Sequence, residues 1–337
     1  MDNQNSKRVL VVGPAWVGDM VMAQSLFIAL KKQNPNIKID VLAPEWSIGL
    51  IERMPEVSNA ISLSVKHGKL DFRLRYQTGV KLRLKNYHQA IITPRSLKAA
   101  LLPFFAKIPQ RTGYRGEYRY GLINDVRLLD KKLLTQTVQR YVFLGNDSNN
   151  NSIPEINFPK LDVNRTEIKK LLEKFKLNLD KPVLALLPGA EYGPSKQWPI
   201  TYFHELAEKV LDSGFQVWVM GSDKDKESAN KIINKNCPEH FNLCGKTTLV
   251  NVIDLLSVSK YAVTNDSGLM HVACATNVKV IALYGSSSPL YTPPLHKDAL
   301  VLYKGLDCSP CFKRLCPYKH TNCLYNITVN EVLEHLK

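Results

Sequence analysis

Short, uninterrupted apolar runs recur along the chain, each followed by a turn-forming cluster and then a stretch of helical period. In the first half they are Val9-Leu-Val-Val12, Ile37 to Leu42 and Ala90-Ile-Ile92. In the second half they are Val183 to Leu187, Gln216 to Met220, Tyr261 to Thr264 and Val278 to Leu283. Runs of this length with little polar alternation read as strands covered on both faces, the condition of a parallel sheet. Helical patterns follow the first run, from about Met20 to Asn34, and the fourth, from about Thr201 to Ser213. Strand alternating with helix predicts an α/β fold of doubly wound sheets.

The pattern breaks once, at Asn146-Asp-Ser-Asn-Asn-Asn-Ser-Ile-Pro154, too polar and Pro-broken to join either core. A junction there gives two domains, 1–155 and 156–337, the natural count for 337 residues of which 45% are hydrophobic. Near the end, Thr328 and Glu331 form a capping-box pair ahead of Val332, Leu333 and Leu336, so residues 328–337 read as an amphipathic helix that must dock.

Composition adds a partner class. The net charge of +15 is uneven: residues 1–150 carry 23 Lys and Arg against 11 Asp and Glu, and the remainder 22 against 19. A basic first half favours an anionic surface, with a lysine-rich solvated face as the bland alternative. Asp2 and the brief run before Gly13-Pro14 do not suit a secretory leader, and Ala99 to Ala106, the best apolar segment, is short and interrupted by Pro103. Seven cysteines, an odd count, fit reduced thiols in a cytoplasmic protein.

Chemistry concentrates where strands end. Gly13 to Gly18 imitates a phosphate-binding loop, but Asp19 stands where that loop needs a lysine. Asp19 is therefore either a helix cap or a general base aimed at a substrate hydroxyl. After Val183 to Leu187 comes Pro188-Gly189-Ala-Glu-Tyr-Gly-Pro-Ser195-Lys196-Gln-Trp198-Pro199, a small-residue loop whose single cation suits a diphosphate, or is merely solvated. In Thr264-Asn265-Asp266-Ser267-Gly268-Leu269-Met270-His271 a strand gives way to a helix, and amides from Ser267 to Met270 can receive phosphate oxygens. Asp266 either positions Lys196, meets a ribose hydroxyl or caps the helix.

Two metal readings compete. Asp223-Lys-Asp225 has the Asp-x-Asp form of a cation clamp, but Lys224 and Lys226 interleave it, and a solvated loop is the better account. Cys308, Cys311, Cys316 and Cys323 lie close enough in sequence to bind zinc tetrahedrally, or to pack as buried reduced thiols.

Several ordered blocks together resemble the ADP-heptose:lipopolysaccharide heptosyltransferases, a family of GT-B glycosyltransferases. They are Gly18-Asp-Met-Val-Met-Ala-Gln-Ser-Leu26, Arg111 to Asp125, Pro188 to Pro199, Thr264 to His271 and Cys308 to Tyr318. The resemblance implies two Rossmann-like domains facing a central cleft, an N-terminal acceptor domain, a C-terminal donor domain and a terminal helix crossing back to the first. It also implies inverting transfer of L-glycero-D-manno-heptose from ADP-heptose to the first heptose of the inner core (heptosyl-Kdo-lipid A), at the cytoplasmic face of the inner membrane. Asp19 matches the base. Lys196, Gly189, Ser195, Asp266, Ser267, Gly268, Leu269 and His271 match donor-binding motifs, with Gly221, Asp223 and Thr247 aligned more loosely.

For the acceptor, Gly18, Arg95, Lys98, Arg111, Arg115 and Arg119 are the candidates, with Leu101, Leu102, Phe104 and Phe105 between Lys98 and Lys107 as a membrane-resting segment. No cofactor is required by this scheme. A nucleic-acid-binding protein would also exploit the charge, but no recognition helix, RNP-like strand or zinc-finger spacing accompanies the basic residues.

Overall fold

The computed structural model describes residues 7–64, 70–147, 152–276 and 278–336. Asp2, part of the polar junction (residues 148–151) and Lys337 lie outside them. The chain divides into two compact units, Met1–Pro159 and Lys160–Lys337. The division falls a little beyond the polar stretch because the segment after it is tied back. Ser25 Oγ donates to Asn157 O at 2.6 Å, and Lys32 Nζ donates to Asn157 Oδ1.

The first unit holds a six-stranded sheet built from β1 (Arg8–Val12), β2 (Lys38–Ala43), β3 (Val57–Ser62), β4 (Gln89–Ile92), β5 (Gln110–Tyr114) and β6 (Asp125–Arg127), in the order β3-β2-β1-β4-β5-β6. The second unit repeats the plan with β7 (Val183–Leu187), β8 (Gln216–Val219), β9 (His240–Asn242), β10 (Tyr261–Asn265), β11 (Lys279–Tyr284) and β12 (Leu300–Tyr303), ordered β12-β11-β10-β7-β8-β9. Every pairing is parallel. Each order is that of a Rossmann sheet, and each reverses beside its first strand, between β1 and β4 and between β7 and β10. At such a reversal the neighbouring connections leave in opposite directions and open a crevice at the strands' carboxyl ends. The loops after β1, β7 and β10 are therefore placed at crevices by topology alone.

The helix Val17–Gln33 is buried along most of its length, from Gly18 and Met20 through Leu26, Phe27 and Leu30. Apolar residues all round suit a helix covered on two sides. It packs against the helix Thr137–Phe143, and a Cβ on Gly145 would stand 2.6 Å from Leu26 Cδ1. In the second unit Trp198, Phe203, Leu206, Leu324, Val329, Val332 and Leu336 share one core cluster.

That cluster includes the terminal segment. The terminal capping box forms, with Thr328 N donating to Glu331 Oε2 at 2.8 Å, and its helix is Val329–Leu333. Its apolar residues pack on the helix Ile200–Lys209 of the second unit. The reason is burial: the side chains that needed cover find it beside Trp198 and Phe203.

Candidate active site

Helix Val17–Gln33 begins three residues earlier than its sequence start, with Trp16 at the N-cap and no side-chain cap bond there. Asp19 thus occupies the third helical position, within reach of the positive helix end but not acting as N-cap. Tyr141, on the helix Thr137–Phe143, donates from Oη to Asp19 Oδ1 at 3.0 Å. This contact helps orient the carboxylate. Gly18 lies buried in the helix's first turn.

In the second unit the loops that bear the candidate residues follow the strands of its sheet. Across the β7/β10 reversal, Lys196 Nζ meets Asp266 Oδ2 at 2.6 Å, with side-chain exposures of 17% and 4%. Lys196 also stands over the Tyr192 ring, 5.2 Å from its centre. Asp266 therefore positions Lys196, the first of the roles open to it. Asn265 ties down both ends of the loop: Nδ2 donates to Pro188 O at 2.7 Å, and Oδ1 accepts from Trp198 N at 2.9 Å. Trp198, fully buried, donates from Nε1 to Ile327 O at 2.9 Å. Lys196 is thus held at the crevice by a rigid loop.

Ser267 is the N-cap of the helix Gly268–Cys274 and makes no side-chain cap bond, while Ser267, Gly268 and Leu269 remain half-buried and reachable. Beneath them His271 is 4% exposed, and burial pushes its imidazole down to about 4 despite Asp266 nearby. It is neutral at physiological pH and forms part of the floor.

Several of the expected site residues have firm partners within the chain. Ser195 is 2% exposed, shares a 3.0 Å hydrogen bond with Ser286 Oγ and donates to Lys313 O, so it anchors the cysteine loop. A Cβ on Gly189 would lie 2.9 Å from Asp225 Oδ1, and one on Gly221 2.8 Å from Asp225 Oδ2. These glycines make room for Asp225, whose carboxylate accepts from Ser222 N at 2.8 Å and Ser222 Oγ at 2.7 Å as a turn cap. Asp223 abuts Gly245, whose φ of +70° favours glycine. Thr247 Oγ1 donates to Leu243 O at 3.3 Å.

On the first unit, Arg111 donates to Leu122 O at 2.7 Å and Ile108 O at 2.6 Å. Arg119 is 4% exposed, donates to Pro94 O at 2.7 Å and to Tyr114 O, and burial brings its guanidinium down to about 10. Both staple the chain's own carbonyls. Arg95 and Arg115 are exposed, and Lys98 is half-buried.

In the helix Leu97–Phe105, Leu101 and Leu102 are buried, with Leu102 in the first unit's core, so only Phe104 of the expected apolar face is exposed. Phe105 is half-buried and makes edge contacts to Phe72, Tyr76 and Phe104, all exposed. Tyr141, Asn265, Phe72 and Tyr76 escaped the sequence reading. Asn265 lay inside the noted block, where a polar residue ending a buried strand was the available signal. Tyr141 left none, since its partner is 122 positions away.

Cys308, Cys311, Cys316 and Cys323 line a single small cavity with Ser195, Ser286 and His320. Burial raises the Cys316 thiol, but the backbone N–H groups of Thr321, Tyr318, His320 and Lys319 outweigh it and bring the thiol below its ordinary range. Among the described residues no three thiol, imidazole or carboxylate groups already stand as a coordination set.

Twin Rossmann-ordered sheets, one with a cation held at its crevice, are the architecture of a two-domain glycosyltransferase. The model of "Glycosyltransferase family 9 (heptosyltransferase)" matches residues 75–322, and the chain belongs to that family. It is 43% identical to lipopolysaccharide heptosyltransferase 2 of Escherichia coli (strain K12), over 98% of this chain and 97% of that protein. It is also 43% identical to lipooligosaccharide heptosyltransferase 2 of Haemophilus influenzae, over 87% and 88%. The solved structure of E. coli ADP-heptose lps heptosyltransferase II superposes with a TM-score of 0.86 at 41% identity, covering 98% of this chain and 97% of that one.

Proposed function

We propose that this enzyme moves L-glycero-D-manno-heptose from ADP-heptose to the first heptose of the lipopolysaccharide inner core, with inversion. The observation that carries the reading is the Lys196–Asp266 pair at the β7/β10 crevice, a cation held ready for a diphosphate. The near full-length similarity to heptosyltransferases 2 supports the sugar and acceptor. In the reaction the acceptor oxygen bonds to the anomeric carbon as the bond to the diphosphate oxygen breaks. Asp19 takes the hydroxyl proton, and ADP leaves with the bonding pair toward Lys196 and the amides at Ser267 to Leu269. Direct displacement inverts the anomeric centre. Mass analysis of truncated lipopolysaccharides incubated with ADP-heptose is expected to show one added heptose on the heptosyl-Kdo-lipid A acceptor. Consumption of only GDP- or UDP-sugars would overturn the donor assignment.

The charge bookkeeping needs no bridging divalent ion, since a lysine and backbone amides meet the departing charge. Asp225, the carboxylate that an Asp-x-Asp clamp would need, is occupied in capping Ser222. Transfer is therefore expected to persist through brief EDTA treatment that removes exchangeable Mg²⁺ and Mn²⁺. Complete loss restored by either ion would return Asp223 and Asp225 to a metal role.

The enzyme works at the cytoplasmic face of the inner membrane, its first unit against the anionic surface. No described helix is long and apolar enough to cross a membrane. The exposed Phe72, Tyr76 and Phe104 around Phe105, with exposed Lys107, form an apolar group beside cations suited to a headgroup layer. Near an anionic leaflet each such cation contributes on the order of 1 kcal/mol. Phe72→Ser with Phe104→Ser and Lys107→Glu is expected to reduce sedimentation with anionic liposomes severalfold, while ADP affinity holds. Unchanged sedimentation at low salt would place the docking surface elsewhere.

A further inference from the structure

The loop from Cys308 to Cys323 is the one chemically distinctive segment that the transfer reaction leaves unused. Its four thiols come from positions spread over sixteen residues, yet they line one cavity. Cys323 is 7% exposed and belongs to the second unit's core cluster, while the other three are half-buried above it. Four thiols around one cavity are soft donors in the number that zinc takes, the preference of zinc among common divalent ions.

The same loop underlies the donor loop. Tyr192 Oη donates to Phe312 O at 2.7 Å, Ser195 N donates to Arg314 O at 3.3 Å, and Ser195 Oγ donates to Lys313 O. Phe312 N donates to Ser286 O at 2.7 Å, and the Arg314 guanidinium stacks over Tyr192, 5.3 Å from its ring centre. A Cβ on Gly193 would stand 2.6 Å from Arg314 O, so the two loops are in backbone contact. Residues 312–314 lie between Cys311 and Cys316, and whatever fixes those two cysteines fixes the platform beneath Lys196.

We propose that Cys308, Cys311, Cys316 and Cys323 bind one zinc ion as thiolates, and that this site braces the Pro188–Trp198 loop. Binding draws the sulfurs inward to bonds of about 2.3 Å and releases thiol protons. The ion is structural: four protein ligands leave no open position for substrate. The bracing half rests on the donor-site reading above, whereas metal occupancy does not depend on it.

The test is metal analysis of the full chain purified under reducing conditions without chelator. About one zinc per chain is expected, and the zinc-free chain titrated with Co²⁺ is expected to give the absorption bands of tetrahedral thiolate coordination. The Cys308→Ser/Cys311→Ser variant is expected to lose at least about tenfold in zinc content. Should that variant fail to fold, the Co²⁺ titration of the wild-type chain decides. Absence of these bands, stoichiometric iron, or a Cys308–Cys311 disulfide found by alkylation mapping would each overturn the site. Calorimetry of zinc-free against zinc-loaded protein is expected to show ADP affinity at least about fivefold weaker without the ion. Equal affinities would overturn the bracing while the metal content stood. Failure to consume ADP-heptose by the zinc-loaded protein would count against the transfer reading alone.

Discussion

Asp19→Asn is expected to lower turnover by at least ~10² while leaving ADP affinity nearly unchanged. The substitution is almost isosteric, and an asparagine carbonyl can still accept the hydrogen bond that Tyr141 Oη makes to Oδ1 at 3.0 Å. Orientation is kept and basicity is lost, so the effect falls on proton removal, for which a positioned base typically contributes ~10² to 10⁴ in rate. The N-cap of this helix is Trp16, so little stability should follow the carboxylate. Turnover within a few fold of wild type would return Asp19 to a charge at a helix end. Tyr141→Phe removes the hydroxyl that orients the carboxylate and should give an intermediate loss in kcat with little change in KM for the donor.

Lys196→Ala is expected to weaken ADP-heptose binding and slow transfer together, because the ammonium meets both the bound diphosphate and the more negative leaving group. Losing such an electrostatic partner typically costs ~3 kcal/mol in the transition state, a rate loss of about 10². The structure adds a second effect. Asp266 is 4% exposed and paired to Lys196 at 2.6 Å, so alanine leaves a buried carboxylate without its cation. Breaking such a pair typically destabilises by roughly 3–5 kcal/mol, somewhat less here because the lysine is partly exposed. Lys196→Ala with Asp266→Asn separates the two effects. Removing the stranded charge should recover most of the thermal stability, while ADP affinity by calorimetry stays low. Normal ADP binding in a folded single variant would show that the loop does not hold the diphosphate.

Before tertiary structure enters, the apolar runs place β1, β2, β4, β7, β8, β10 and β11 to within a residue or so. These strands are covered on both faces, and that condition leaves an unbroken apolar signature. The strands β3, β5, β6, β9 and β12 are edge or near-edge elements, short or only partly buried. Gln110-Arg-Thr-Gly-Tyr114, for example, carries no apolar run to find. Because strand ends are legible, so are the loops that bear Asp19, Lys196 and Ser267, whose small residues and isolated charges are local features. The uneven distribution of basic residues is likewise a property of the sequence alone.

What each loop residue does was decided by partners far away in the chain. Asp266 could cap, meet a ribose or position a lysine, and only the β7/β10 pairing brings Lys196 to it across 70 positions. Arg111 and Arg119 look like ligands for an anionic acceptor in sequence, yet folding surrounds them with the chain's own carbonyls. Leu101 and Leu102 could rest on a membrane until the first unit's core covers them. The terminal helix needed an apolar partner, and the core around Trp198 supplied it. Local pattern determines which backbone forms and where a loop falls, because steric preference and burial act over a few residues. Side-chain role depends on which unsatisfied donors, acceptors and charges the packed chain brings within about 3 Å, a condition no local stretch encodes.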